Sequence, residues 1–159
     1  SGCILLSLLG DIRKSKGIGI DISQQALKVA IKNAKRHNLS HRTRFFNKCL
    51  SSVYNKKFDL IVSNPPYIMK KDLKNLGDDI KYFEPKVALD GGNDGLDVIK
   101  KVIYKSKSIL KIKGMLAIEI GYGQFKKVSN ILKKNRFNIK YTIRDYKANI
   151  RCIMSTLEQ

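Results

Sequence analysis

In FDLIVSNPPYIMKK, Phe58 to Lys71, an apolar run halts at an asparagine and two adjacent prolines. Phe58 to Ser63 is nearly all apolar, as in a strand covered on both faces. Proline fixes its own φ and has no N–H, so the strand has to stop at Asn64. The same chemistry leaves backbone carbonyls near Pro65 and Pro66 without local donors and holds them at set angles. The Asn64 side chain adds another carbonyl acceptor. Asn64 and Pro65 therefore offer a stiff pair of oxygens suited to a planar NH2 group. Tyr67 offers a ring that can pack on whatever carries that group. The plainer alternative is a turn that ends a strand, followed by a core tyrosine. The position after a buried strand in an alternating chain favours the grip.

Working outward, Ile4 to Leu9 is a short apolar segment ending at Gly10, and Lys16 to Ile22 alternates like a strand, with Asp21 near its end. Ser23 is placed to cap a following helix. That helix, QQALKVAIKNAKRHN, carries Ala26, Leu27, Ala30, Ile31 and Ala34 at helical spacing, with lysines opposite. Thr43 to Phe46 reads as a short strand. Residues 65–95 read as loop, with a helical turn near Lys70 to Leu76. Leu96 to Leu110 has helical period and ends before Gly114. Met115 to Gly121 is a second buried strand, Lys126 to Asn135 a helix, and Phe137 to Ile143 and Asn149 to Thr156 two last strands. Strand and helix alternate throughout, which predicts a layered α/β fold with a mostly parallel sheet. The link Arg144 to Ala148 is too short for a crossover, so the final pair is expected to be antiparallel. Ligands in such sheets bind at the carboxyl ends of strands. Asp21, the Asn64 segment and Glu119 all fall at such ends. Alone, Asp21 reads equally well as a ribose-binding acid or as an acid favoured by a helix N-terminus.

The chain has 159 residues and a net charge of +19, mostly from lysine. Its length suits one domain, with enough apolar residues for a core. The charge fits either contact with an RNA-rich partner or simple solvation of outer helix faces, such as those bearing Lys126, Lys127, Lys133 and Lys134. No stretch is long and apolar enough to span a membrane, and SGCILLSLLG lacks the features of a signal peptide. Cys3, Cys49 and Cys152 are far apart and have no metal-ligand spacing with His37 or His41. Reduced thiols in a cytoplasmic protein are expected, with no metal.

SNPPYI resembles the catalytic motif of class I, S-adenosylmethionine-dependent methyltransferases that modify amide or exocyclic amino nitrogens. The motif is shared by adenine-N6 DNA enzymes, guanine-N2 rRNA enzymes and the HemK/PrmC family. FEPKVALDGGNDGLDVI, Phe83 to Ile99, resembles the E-P-x-x-A-L-x-G-G-x-D-G-L signature of that last family. MLAIEIGYGQ, Met115 to Gln124, is similar to its E-I-G-x-x-Q strand end, and SGCILLSLL to the end of its D/E-x-G-T-G-S-G-C cofactor loop. The resemblance covers essentially the whole chain.

It implies a Rossmann-like three-layer sandwich with an antiparallel last strand. It also implies transfer of methyl from S-adenosylmethionine to the N5 of a glutamine in the Gly-Gly-Gln loop of peptide chain release factors, in translation termination. Ser1 and Gly2 then match the methionine-side cofactor loop, and Asp21 the acid on the cofactor ribose. Asn64, Pro65, Pro66 and Tyr67 match the grip on the substrate amide, with Asn64 also near the cofactor. Glu84 to Gly95 is expected as a loop beside the active site. A release factor is the implied partner, with transient proximity to RNA, and the protein is expected to be a monomer. No general base is assigned to Asp90, Asp94 or Glu119; a structural role is expected for Glu119.

The chain departs from the family in two places. The family's upstream helical domain and its first, central strand precede the point where this chain starts, so residues 1–159 are expected to be a partial catalytic domain that binds cofactor poorly by itself. The acid and bulky residue that the family places near adenine fall on Lys48 and Cys49. Asn47, the backbone or a weaker contact then serves the adenine amino group, while Cys49 packs against the ring. The alternatives are an N-methyltransferase acting on adenine or guanine in rRNA or DNA, and a degenerate domain that only binds a partner.

Overall fold

The computed structural model describes residues 1–53, 57–77, 79 and 84–159. Phe83 lies outside the described residues. The chain divides into two units, residues 1–54 and 55–159.

The first unit holds α1 (Cys3–Asp11), β1 (Gly17–Asp21), α2 (Gln24–Arg36) and β2 (Thr43–Asn47). β1 and β2 pair in parallel from Gly17↔Thr43 to Asp21↔Asn47, and a parallel pair requires a crossover such as α2. Ser23 caps α2 by accepting the Ala26 N–H at 3.2 Å, as its position predicts. The buried stripe of α2 is Leu27, Ala30 and Ala34. Ile31, expected on that face, is 54% exposed; it sits at the margin of a stripe defined by its smaller neighbours. Leu6 and Leu9 of α1 meet Ala34 and Leu39, with Leu5 and Phe45 packed against them. Each large side chain so buried contributes roughly 1.5–3 kcal/mol. α1 has no basic residue in its last turn. Arg42 supplies the missing cation from the start of the second strand region, donating to the carbonyls of Leu9 at 2.7 Å and Arg13 at 2.8 Å.

The second unit holds β3 (Phe58–Ser63), α3 (Lys86–Leu89), α4 (Asp97–Ile109), β4 (Leu110–Glu119), α5 (Phe125–Lys134), β5 (Phe137–Arg144) and β6 (Ile150–Leu157). The sheet order is β3-β4-β6-β5. β3 and β4 are parallel, whereas β6 runs antiparallel to both β4 and β5. The last strand is thus antiparallel, as expected, and it also inserts between β4 and β5. Asp145 shapes the connecting turn by accepting the Lys147 and Asn149 N–H groups, each at 2.9 Å. Leu116, Ile118 and Ile120 of the β4 region are wholly buried with Ile153, Phe137, Ile99, Ile103 and Leu132. That combination gives a sheet with α4 and α5 packed on it.

Two details correct the sequence expectations. β3 is half-buried rather than covered on both faces, with Val62 37% exposed. Among the described residues it pairs with β4 alone. β4 begins at Leu110 instead of Met115. Its first residue pairs with Phe58, and a bulge intervenes before Leu60 meets Met115. The strands therefore lie in two sheets, one in each unit. Among the described residues, no helix is long and apolar enough to cross a membrane.

Candidate active site

In the second unit the chain leaves β3 at Ser63, beside Ile118 of β4. Asn64 is exposed, Pro65 buried, and Pro66 and Tyr67 half-buried. Among the described residues, neither the Asn64 side chain nor the backbone carbonyls of Asn64, Pro65 and Pro66 receive a hydrogen bond. Buried or rigid carbonyls without donors are uncommon and invite an outside partner. The oxygens of Asn64 and Pro65 thus have no protein donor among the described residues.

Tyr67 is fixed from several directions. Its hydroxyl donates to Glu119 Oε1 at 3.2 Å and accepts from Arg151 Nη2 at 2.9 Å. The Arg151 guanidinium lies 5.3 Å from the ring centroid and 3.6 Å from Glu119. The Tyr67 backbone carbonyl accepts from Gln124 Nε2 at 3.0 Å. The same nitrogen donates to Gly95 O at 3.1 Å, and Gln124 Oε1 accepts the Gly121 N–H at 2.8 Å. Gln124 is buried with every one of these bonds made, so one side chain ties the end of β4, the tyrosine and the loop together.

That loop runs alongside the motif. Ile68 N–H donates to Leu89 O, Gly91 N–H to Ile68 O, and Lys70 N–H to Gly92 O. Gly95 has φ +72°, and a Cβ there would stand 2.5 Å from the Tyr67 carbonyl; only glycine permits both. Asp90 accepts the Gly92 N–H at 2.8 Å. Asp94 accepts the Leu96 N–H at 3.0 Å and pairs with Lys100 at 2.8 Å, which holds its carboxyl below the ordinary range. Of the expected loop, Leu89 to Gly95 lie beside the Tyr67 segment, while Lys86 to Leu89 form a helical turn. Cys152 faces Glu119 across β4 and β6; burial first, then the Glu119 charge, pushes its thiol up.

In the first unit, Gly2 caps α1 with φ +72° and no side-chain bond. A Cβ there would lie 2.9 Å from Ala30 Cβ. The first-turn amides of α1 are thus approached by bare backbone, with Ser1 Oγ 3.4 Å from the Cys3 nitrogen. Asp21 closes β1. One of its oxygens accepts the Ser23 N–H at 2.8 Å, and the other has no partner among the described residues. Asn47 Nδ2 donates to the carbonyls of Asp21 at 3.0 Å and Ile22 at 2.9 Å. Its side-chain oxygen is left as an acceptor, the one Lys48 cannot provide. The Lys48 ammonium instead lies 5.8 Å from the Phe46 ring centroid. Cys49 is exposed just beyond β2. A carboxylate with a spare oxygen at Asp21 and an amide acceptor at Asn47 fit a nucleoside that carries ribose hydroxyls and an exocyclic amine.

Arg151 and Gln124 were not identified as site residues from the sequence. The signals were there: a lone cation in the strand IRCIMSTL, and a glutamine closing a strand-end signature. Among the described residues no cluster of acidic, histidine and cysteine side chains could hold a metal ion.

The fold is that of the class I methyltransferases. It superimposes with a TM-score of 0.71 on a methyltransferase from Pyrococcus furiosus, at 15% identity over 99% of this chain and 70% of that one. A ribosomal protein L11 methylase from Lactobacillus delbrueckii subsp. bulgaricus gives 0.69, at 20% identity over 99% and 66% of the two chains. The chain belongs to the family described as Eco57I restriction-modification methylase, whose model matches residues 5–143. It is also similar to release factor glutamine methyltransferases. That of Fusobacterium nucleatum subsp. nucleatum is 40% identical over 157 residues, 98% of this chain and 44% of the relative. That of Rhodospirillum rubrum is 38% identical, over 98% of this chain and 48% of the relative. A bifunctional methyltransferase of Rickettsia typhi is 36% identical, over 96% and 30%. The chain spans about half or less of the length of these relatives.

Proposed function

We propose that this chain is the catalytic part of an S-adenosylmethionine-dependent methyltransferase that modifies the side-chain amide nitrogen of a glutamine in peptide chain release factors. The observation that carries the proposal is the pair of unengaged acceptors at Asn64 and Pro65, backed by a loop stitched to the same segment. The names of the relatives support the substrate, and so does the E-P-x-x-A-L-x-G-G-x-D-G-L resemblance. The Eco57I description reflects an amino-methylating core that nucleic-acid enzymes share. The working protein is placed in the cytoplasm, with residues 1–159 as one part of its catalytic domain.

An amide nitrogen is a poor nucleophile because its lone pair is delocalised. If Asn64 Oδ1 and Pro65 O accept its two N–H groups, the nitrogen is held with its lone-pair lobe toward the methyl donor. These bonds strengthen as positive charge builds on nitrogen. Positioning of this kind supplies up to roughly 7–11 kcal/mol of the barrier reduction. When bound, S-adenosylmethionine supplies the electrophilic methyl. Gly2 and the α1 amides, Asp21, Asn47 and Cys49 are the groups of this chain suited to hold it. Glu119, Asp90 and Asp94 are each engaged in structural bonds, so none serves as a base. The proton leaves to water after transfer.

The test offers the intact protein labelled S-adenosylmethionine with a release factor bearing a Gly-Gly-Gln loop, the same factor with that glutamine changed to alanine, rRNA, and DNA. Label is expected only on the first. Label on either nucleic acid, with none on the factor, would replace the glutamine by a base amino group.

A further inference from the structure

We propose that Arg151 is a positioning residue for methyl transfer, acting through Tyr67 from the last strand. The inference rests on the function proposed above. Tyr67 follows two prolines at a half-exposed rim, where a ring would ordinarily sample several orientations. Here its hydroxyl is held between a donor, Arg151 Nη2 at 2.9 Å, and an acceptor, Glu119 Oε1 at 3.2 Å. The guanidinium also faces the ring, 5.3 Å from its centroid. A planar fork can donate and lie over an aromatic face at once; a lysine cannot.

Stability does not explain this arrangement. The Arg151 and Glu119 side chains are 28% and 37% exposed and their charges are 3.6 Å apart. An ion pair this wet contributes little. An apolar residue at position 151 would suit a strand that otherwise reads Ile150, Cys152, Ile153 and Met154. What the cation does is fix the plane of the one aromatic ring in the motif. With Gln124 holding the Tyr67 carbonyl, the residue is pinned at both ends. The ring then offers the flat substrate amide a single orientation beside the Asn64 and Pro65 oxygens.

The test combines kinetics of the intact protein with the Tyr67 resonance in 3-fluorotyrosine-labelled protein, assigned by Tyr67→Phe. Arg151→Ala is expected to lower kcat about tenfold to a hundredfold while KM for the release factor and cofactor stay within about twofold. Arg151→Lys should recover part of the loss. The double variant Arg151→Ala, Tyr67→Phe should be no slower than the worse single one, because both break the same contact. The Tyr67 resonance should shift in Arg151→Ala and less in Arg151→Lys. A kcat unchanged in Arg151→Ala, losses that multiply in the double variant, or an unmoved resonance would each overturn the proposal. If the wild-type protein left release factors unmodified while the resonance still shifted, the glutamine substrate would fall and the clamp on Tyr67 would stand.

Discussion

One Asp21 carboxylate oxygen accepts the Ser23 N–H, and the other has no partner among the described residues. If that oxygen receives the cofactor ribose, Asp21→Asn keeps the shape and loses the charge. Hydrogen bonds to charged groups exceed neutral ones by roughly 1 kcal/mol, so cofactor affinity of the intact protein should fall about fivefold to tenfold by calorimetry. An unchanged dissociation constant would remove Asp21 from the site. At this scale the sequence was legible wherever the chemistry is local. Asn64, Pro65 and Asp21 stand out because each lies at or just beyond a strand end and its chemistry can be read from its immediate neighbours. The signals of Arg151 and Gln124 could not be joined to the motif, because their partner Tyr67 is 84 and 57 residues away. Only the packing of β4 against β6 brings those distant positions to one rim.

The loop of residues 84–95 and the start of α4 are held by few, specific bonds, so single changes there should show. Gly95→Ala sets a Cβ against the Tyr67 carbonyl at a positive φ and should cost at least about 1–2 kcal/mol in thermal or denaturant unfolding. Gln124→Leu would leave the Tyr67 and Gly95 carbonyls and the Gly121 N–H without their partner. A loss of roughly 2–5 kcal/mol is expected, with no loss showing that the clamp carries no weight. Asp94 adds a pH dependence of known sign. Lys100 and the Leu96 N–H lower its carboxyl below the ordinary value of 3.8, so its stabilisation is complete above that value. It is lost as acid carries the pH down through the lowered value. Wild type and Asp94→Asn should therefore differ in Tm at neutral pH and converge in acid; a constant gap would contradict the pairing. The periodic helices α2, α4 and α5 were readable from their apolar spacing. The four residues of α3 were not, since a single turn carries no period.

For the whole molecule, strand and helix alternation was enough to give the α/β class, and the short link Arg144 to Ala148 the antiparallel final pair. It did not reveal that β6 inserts between β4 and β5, because a short link constrains only the two strands it joins. The second unit's core centres on Ile118, wholly buried in β4. Ile118→Ala should cost about 2–5 kcal/mol with no change in denaturant slope, and a cost under about 1 kcal/mol would mean the sheet repacks freely. The net charge of +19 is carried largely on outward faces and identifies no partner by itself. The chemistry instead hangs on two oxygens at one strand end, and the most direct measurement is turnover of Asn64→Ala in the intact protein on a release factor. With one of two acceptors gone, kcat should fall about a hundredfold to a thousandfold while cofactor affinity changes far less. Turnover equal to that of the wild type would show that the Asn64 oxygen does not hold the reacting amide.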